Sequence, residues 1–223
     1  MTNTIRLSLL SSSFVLLTST VAVADHDRGG GIARNAAPVS GALEIAIGGN
    51  YTQGFGDLGG GMASAQDVSG PGGGIELQLG YRATPHLGLG LYATAAAYEQ
   101  GADVFDVGSA SVGLRADWHF RPDRATDPWI SIGTGFRALG MTGSDGVDRG
   151  LRGVDLARVQ LGVDHRLSNS VSIAPVFGLT ASMYGEMKDD MDDRFREIAD
   201  KDVHISVTGG LLGRFDFFGR RGR

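Results

Sequence analysis

Two residues near the C-terminus, His204 and Ser206, carry the side chains that acyl-transfer chemistry uses. A histidine can act as the general base that activates a serine hydroxyl, and a carboxylate usually orients that histidine. Because one residue separates the pair, both side chains would point to the same side of an extended strand. No acidic residue follows in a supporting pattern. We therefore predict no catalytic residues and no enzymatic activity.

A second group of candidates is the acidic segment 186–202, which contains Asp189, Asp190, Asp192, Asp193, Asp200 and Asp202. A calcium-binding EF-hand needs alternating acids, a glycine at the sixth position and a distal glutamate, and the glycine is missing here. The glycines at 59–61 and 72–74 are not followed by Gly-Lys-Ser/Thr, so they predict no phosphate loop. We expect a solvated acidic loop with one helical turn around Phe195 and Ile198, and neither a metal site nor a cofactor.

Alternation of apolar and polar residues is the strongest pattern in the chain. In the segment 75–82, Ile, Leu, Leu and Tyr alternate with Glu, Gln, Gly and Arg. One face of such a strand suits hydrocarbon, and the other carries full charges. A soluble sandwich cannot easily bury such charges in segment after segment, whereas a closed barrel in a membrane places lipid outside and polar groups inside.

Eight segments show this pattern, which predicts an all-β fold: an eight-stranded antiparallel up-and-down transmembrane β-barrel. The predicted strands span roughly 42–53, 73–83, 86–98, 107–120, 129–141, 154–167, 171–184 and 203–217. Each is long enough to cross a bilayer at a tilt, which needs about 9–11 residues. Pro175 lies in the middle of the seventh strand, where we expect a local bulge; a loosened seam is the alternative.

The connections and the aromatic residues support the same architecture. Short connections at 83–85, 121–128 and 168–170 alternate with longer ones at 54–72, 100–106, 142–153 and 186–202. Aromatic residues fall at two levels, which predicts two interfacial girdles. One level holds Tyr81, Trp118, Phe120, Phe215 and Phe217, with Trp129 at the same level but facing inward; the other holds Tyr51, Tyr98 and Tyr184.

The charges on the inward face nearly balance. They are Glu44, Glu76, Asp117, Asp164 and Asp216 against Arg82, Arg115, Arg137, Arg158, Arg166 and Arg214. Eight strands leave an interior just wide enough for side chains, and unpaired charges there are costly. We therefore predict a salt-bridged plug in which Glu44 lies close to Arg82 and Arg214. A narrow or gated ion path is the alternative.

The ends of the chain differ from its middle. Residues 1–24 read as a cleaved signal peptide, because Arg6 precedes an apolar stretch that ends in Ala22-Val23-Ala24. We expect a flexible segment at 25–41, the barrel at 42–218 and a basic tail at 219–223. The formal net charge of −5 argues against nucleic acid as a partner, and the absence of cysteine excludes disulfides and thiolate metal sites.

The alternating strands, the order of short and long connections and the aromatic last strand, Ile205 to Phe218, together resemble the small eight-stranded outer-membrane barrels of the OmpA/OmpX type. The resemblance covers roughly residues 42–218 and identifies no subfamily. It implies residence in the cell outer membrane, contact with outer-membrane lipid and lipopolysaccharide, and insertion by the barrel assembly machinery. Such barrels usually end on an aromatic residue, so the basic residues after Phe218 are a departure.

The resemblance also implies a range of activities. We expect a monomer with a structural or surface-interaction role, in which long extracellular loops contact an outside partner. The acidic loop could bridge to lipopolysaccharide phosphates through Ca²⁺ or Mg²⁺. A small-solute or ion channel is the alternative. A lipid A-modifying enzyme fits less well, because barrel deacylases place their serine on the outer surface, whereas His204 and Ser206 have inward parity.

Overall fold

A computed structural model describes residues 39–59, 64–65, 69–100, 104–143, 146–189 and 192–221. The signal peptide predicted at 1–24 and most of the segment 25–41 lie outside these residues. Eleven strands are present in the described part: β1 (Val39–Ser40), β2 (Ala42–Phe55), β3 (Ser69–Arg82), β4 (Leu87–Gln100), β5 (Val104–His119), β6 (Thr126–Gly143), β7 (Asp148–Arg166), β8 (Val171–Asp189), β9 (Asp192–Glu197), β10 (Val203–Phe217) and β11 (Arg220–Arg221).

Eight of these strands form a closed antiparallel ring. Strands β2 to β8 pair in sequence order, and β10 pairs with both β8 and β2. The seam between the last and first strands is continuous from Ile205–Phe55 to Phe217–Leu43. Closure leaves no free edge in the ring, so every backbone ladder can be satisfied within the barrel. The predicted eight-stranded barrel is confirmed.

Side-chain alternation separates an apolar exterior from a polar interior. On β10, Ile205 and Leu211 are 48% and 49% exposed, while His204 and Arg214 on the other face are 3% and 1% exposed. The same contrast holds on the other strands, with Leu79, Leu89, Leu114, Ile132 and Phe177 exposed. Among the described residues, no helix is long and apolar enough to cross a membrane.

The two ends of the ring are built differently. At one end, called the turn end here, the connections are 83–86, 120–125 and 167–170. At the opposite end, the loop end, much of what we expected to be loop is strand, because β6, β7 and β8 contain 18, 19 and 19 residues. The helical turn expected around Phe195 and Ile198 is wrong: β9 pairs with the upper part of β8 and extends the hairpin.

Irregularities on β7 and β8 affect where side chains point. The β7–β8 register shifts between Asp155–Ser182 and Ala157–Ala181, so Leu156 is an extra residue on β7. An extra residue reverses the alternation beyond it. The bulge expected at Pro175 is wrong, since the register is the same on both sides of it. Pro175 is exposed, and it lies where the ladder with β7 is interrupted between Gly162–Val176 and His165–Ile173.

Inward glycines make room for two of the large aromatic side chains of the lumen. Tyr92 pairs across the sheet with Gly113, and Trp129 pairs with Gly162. A methyl group on Gly113 would lie 2.6 Å from a Tyr92 ring carbon. Small residues opposite large ones are how a narrow barrel fills its interior without strain.

The basic residues at the C-terminus are not a free tail. Arg220 and Arg221 of β11 pair with Ser40 and Val39 of β1, forming a separate two-stranded sheet. The chain reverses at Phe218, which has a φ of 60°, and Phe218 itself is 92% exposed. The segment before the barrel and the segment after it are therefore joined at residues 39–40 and 220–221.

Candidate functional site: the barrel lumen

A carboxylate near the turn end, Glu44, sits among three arginines. Its Oε2 lies 2.7 Å from Arg82 Nη2, and its Oε1 lies 2.9 Å from Arg115 Nη2 and 3.3 Å from Arg214 Nε. Arg115 also pairs with Asp117. All five side chains are at most 5% exposed. The prediction that Glu44 approaches Arg82 and Arg214 is confirmed, and one carboxylate thus neutralises charge from three strands.

A histidine and two aspartates, His119, Asp127 and Asp164, lie beside this cluster and form a grouping with metal-ligand side chains. Each carboxylate oxygen already accepts a bond from the protein: Asp127 from His119 Nδ1 and the Arg121 amide, both at 2.8 Å, and Asp164 from Trp129 Nε1 at 3.0 Å and Arg214 Nη1 at 2.7 Å. A guanidinium at this distance also repels a cation. The arrangement suits a hydrogen-bonded ion-pair network rather than a metal centre.

The middle of the lumen is occupied by a buried amide and carboxylate cluster. Glu76 Oε1 lies 2.8 Å from Arg158 Nη2 and accepts a hydrogen bond of 2.6 Å from Gln78 Nε2. Gln160 Nε2 reaches Glu76 Oε2 at 3.2 Å. The Arg158 guanidinium also lies over the Tyr92 ring, 4.6 Å from its centroid. These contacts cross the lumen between β3 and β7 and fill it.

Asp155 forms the next cluster toward the loop end. Its Oδ1 accepts bonds from Arg137 Nε at 2.6 Å and Ser182 Oγ at 2.8 Å, and its Oδ2 accepts one from the Tyr92 hydroxyl at 3.0 Å. Sequence alternation missed Asp155, because counting back from Arg158 places it outside. The extra residue Leu156 reverses the alternation at that point, and no local sequence signal marks the bulge.

The loop end of the lumen is apolar. The buried side chains of this apolar cap are Leu58, Ala65, Val107, Leu139, Met141, Leu151, Tyr184 and Ile198, with Tyr98 and Met187 packed against them. Most belong to strands, but Leu58, Ala65 and Ile198 belong to connections. Their burial removes aliphatic surface from water and closes the lumen above the polar clusters.

A small polar space remains between the cap and the polar clusters. The guanidinium groups of Arg137 and Arg158 line it. The hydroxyl and amide side chains that line it include those of Asn50, Thr52, Thr94, Thr180, Ser206 and Thr208. Its volume is about 20 Å³, which is enough for about one water molecule. The space cannot accommodate a hydrated ion or a solute.

The predicted hydrolase candidates lie in this closed interior. His204 and Ser206 are 3% and 4% exposed, so neither faces lipid. The His204 ring stacks on Tyr184 with 4.8 Å between ring centroids, and its Nδ1 has no hydrogen-bond partner within the described part of the chain. The structure therefore brings His204 to an aromatic neighbour rather than to a carboxylate that could orient it as a base.

The acidic segment 186–202, which we expected to be a loop, forms a β-hairpin that packs against the barrel. Ile198 is 4% exposed within the apolar cap, and its amide donates to the Gly185 carbonyl at 2.9 Å. The Arg152 guanidinium lies 3.8 Å from the centroid of the Phe195 ring. Lys201 donates a hydrogen bond of 2.6 Å to Glu197, which holds the pKa of that carboxyl below its ordinary value. Phe195 and Ile198 therefore hold the hairpin against the rest of the protein.

Comparison with known proteins addresses the fold. No protein-family model matches the chain, and no curated protein sequence matches it. The solved structure of Neisserial surface protein A (NspA) superposes with a TM-score of 0.56 at 15% identity, covering 80% of this chain and 99% of that chain. The chain therefore has the eight-stranded antiparallel barrel fold of this outer-membrane protein. Two other barrels superpose less closely. OprG of Pseudomonas aeruginosa has a TM-score of 0.49 at 11% identity, covering 80% of this chain and 98% of that chain. Ail of Yersinia pestis has a TM-score of 0.45 at 13% identity, covering 79% and 99%.

In outer-membrane β-barrels the short turns face the periplasm, so we expect the turn end on that side. Of the residues predicted for the girdle at this end, Tyr81, Trp118, Phe120 and Phe217 are exposed, Phe215 is only partly exposed, and Trp129 faces inward as expected and is buried. The predicted extracellular girdle is mostly wrong. Tyr51 is 54% exposed, but Tyr184 is 2% exposed, and the Tyr98 hydroxyl bonds Ser109 at 2.9 Å. Tyr98 and Tyr184 face inward and form part of the apolar cap.

Proposed function

We propose that this outer-membrane barrel is a structural and surface-interaction protein that does not conduct. The single observation that carries the proposal is the closed lumen: buried ion pairs fill it from Glu44 to Asp155, and the apolar cap covers its extracellular end. A rigid ring of this kind suits a scaffold, and binding to outside partners falls to the connections that it holds. Lipid and lipopolysaccharide contact the exposed apolar wall.

The interaction surface in this proposal is the hairpin of upper β8 and β9. It adjoins the cap, its sequence is rich in both acidic and basic residues, and it is held by Ile198 and by Arg152 on Phe195. Met187 and Arg196 are directly paired, so an Asn-Gly turn can join them and remove residues 188–195 while Ile198 stays in place.

Whole cells carrying the full barrel, the shortened hairpin or no barrel provide the test. The measurements are adhesion, serum survival and detergent sensitivity. We expect the shortened hairpin to reduce adhesion or serum survival, and loss of the barrel to increase detergent sensitivity as well. If the shortened hairpin behaves as the full barrel does while loss of the barrel still weakens the envelope, the interaction role is wrong and a structural role remains.

A small-solute or ion channel is the second candidate, and one observation favours it. The ladder between β7 and β8 is interrupted beside Pro175, which could loosen that seam. Planar-bilayer recording should show no stable single-channel steps for the wild type. If the wild type shows stable single-channel conductance steps and a Pro175→Val variant does not, the conducting path lies between β7 and β8. That result would overturn the proposal that the barrel does not conduct.

The proposal also excludes an enzymatic role in lipid A modification. Such an enzyme needs a nucleophile that acyl chains can reach, and Ser206 lies inside the closed ring. Mass spectrometry of lipid A from cells with and without the protein should show the same acyl chains. A chain that is lost or gained only when Ser206 and His204 are intact would contradict this part of the proposal.

A further inference from the structure

The apolar cap is unusual for its location. The lumen of an outer-membrane barrel is generally polar, and here it is polar from the turn end as far as Asp155. Above Asp155, four neighbouring strands turn aliphatic or aromatic side chains inward: Val107 on β5, Leu139 and Met141 on β6, Leu151 on β7 and Tyr184 on β8. Together they form an apolar cup that opens toward the outside of the cell.

The contents of this cup come from connections rather than from strands. Leu58 and Ala65 lie between β2 and β3, Ile198 follows β9, and each is less than 5% exposed within the cup. Two branched aliphatic side chains therefore occupy a site that an apolar molecule of similar size could fill. The polar clusters beneath the cup make it a dead end, so it would hold a molecule rather than pass it on.

A buried polar atom lies beside the cup. The His204 ring is stacked on Tyr184, a cup residue, and is 3% exposed. Its Nδ1 has no hydrogen-bond partner within the described part of the chain. It is one of eight such buried atoms in the described part of the chain, and it is the one that lies beside the apolar cup. Buried nitrogen atoms are usually satisfied, so this one leaves a hydrogen bond for a bound molecule to make. A ligand with an apolar body and one hydrogen-bonding group would supply it.

The two connections that fill the cup also contact each other. Gly59 has a φ of +84°, and a Cβ at this position would lie 2.6 Å from the Asp200 carbonyl oxygen and 3.1 Å from the Asp202 amide nitrogen. This close approach holds Leu58 and Ile198 in place together. A side chain at Gly59 would push the connections apart and expose the cup.

We propose that the cup is a binding site for an apolar molecule that carries one hydrogen-bonding group, and that Leu58 and Ile198 occupy it in the unliganded protein. A ligand enters when these two side chains withdraw, and its polar group pairs with His204. The site lies beneath the hairpin surface proposed above and shares Ile198 with the anchor of that hairpin, but ligand binding in the cup does not require the hairpin to contact an outside partner.

The test uses 1-decanol as the probe with the full-length protein in bicelles of deuterated lipid. Nuclear Overhauser contacts from the decanol chain to the Val107 and Met141 methyl groups report entry, because lipid outside the barrel cannot reach them. We expect weak contacts in the wild type and stronger ones in Ile198→Ala. Because apparent affinity follows the fraction of open protein, a ten-fold larger open fraction should raise the affinity by about ten-fold.

Matched variants separate opening from general damage. Gly59→Val should strengthen binding, whereas Gly146→Val should leave it unchanged: Gly146 also has a positive φ of +75°, but a Cβ there would meet nothing within 4 Å. His204→Phe should weaken binding of 1-decanol relative to decane. All variants must first show the folded, heat-modifiable band on gels. Folded Ile198→Ala and Gly59→Val proteins without contacts to Val107 or Met141 would overturn the proposal.

Discussion

The indole ring of Trp129 occupies the space beside Gly162, its partner across the β6–β7 ladder: a Cβ on Gly162 would lie 2.3 Å from a ring carbon of Trp129. The same indole donates to Asp164 at 3.0 Å and lies beneath the Arg214 guanidinium, 4.6 Å from the ring centroid. Because Gly162 has no side chain, the Trp129 ring has the space to contact both Asp164 and Arg214.

Replacing Gly162 with alanine should therefore destabilise the barrel. The added methyl group cannot fit unless Trp129 moves away from Asp164, and overpacking of this kind costs about 1–3 kcal/mol. Urea unfolding in detergent, followed by the shift in gel mobility, measures the change. Gly140→Ala is the control, because a Cβ on Gly140 meets nothing within 4 Å. Equal midpoints for the two variants would contradict the packing argument.

Removing the charge of Glu44 should have a larger effect. Glu44→Gln leaves the buried guanidinium groups of Arg82, Arg115 and Arg214 without their shared carboxylate. Breaking a buried ion pair on one side costs about 3–5 kcal/mol. The exposed pair of Asp123 and Arg124, with 3.5 Å between charged atoms, provides the control.

For that control, Asp123→Asn should change the free energy of unfolding by about 0–1 kcal/mol, as is usual for surface pairs. Both variants are compared with the wild type by the same unfolding measurement. A Glu44→Gln protein as stable as Asp123→Asn would mean that the network does not hold the lumen together.

The free-energy cost of an arginine on the lipid face should depend on the depth of that residue in the membrane. Leu211 and Val203 have similar exposure, 49% and 53%, and both lie on β10. Leu211 is near the middle of the strand, and Val203 begins it at the loop end. We expect Leu211→Arg to cost about 2–4 kcal/mol and Val203→Arg about 0–1 kcal/mol. Reversible unfolding into a lipid-free denatured state measures both, and equal costs would contradict the assigned membrane position.

The sequence predicts the lower lumen well because two simple rules act together there. Side chains alternate with a period of two, and strand ends fix the level of each residue. These rules place Glu44, Arg82 and Arg214 at one level on the inward face, where the structure finds them in contact. No long-range information is needed beyond the assumption that the last strand meets the first.

The upper lumen could not be predicted in the same way. The extra residue Leu156 reverses the alternation and brings Asp155 inside, and its side chain gives no local sign of a bulge. The prediction that Tyr98 and Tyr184 belong to the second aromatic girdle rests on their level alone, although the alternation of their strands points them inward. The role of Leu58 and Ile198 depends on how two connections fold back over the barrel, which strand periodicity does not describe.

The contact between Glu44 and Arg214 has a consequence for the order of events during assembly. The two residues lie near opposite ends of the chain and meet only where β10 joins β2. Until that junction forms, Arg214 lacks one of its two carboxylate partners and keeps only Asp164 of β7, while hydrocarbon would have to accept the incompletely paired charge. Partly inserted strands are therefore poor resting states, and insertion should proceed together with closure. A β10–β2 junction displaced by one residue would turn these charges toward lipid. The contact between Glu44 and Arg214 therefore also disfavours incorrect strand registers.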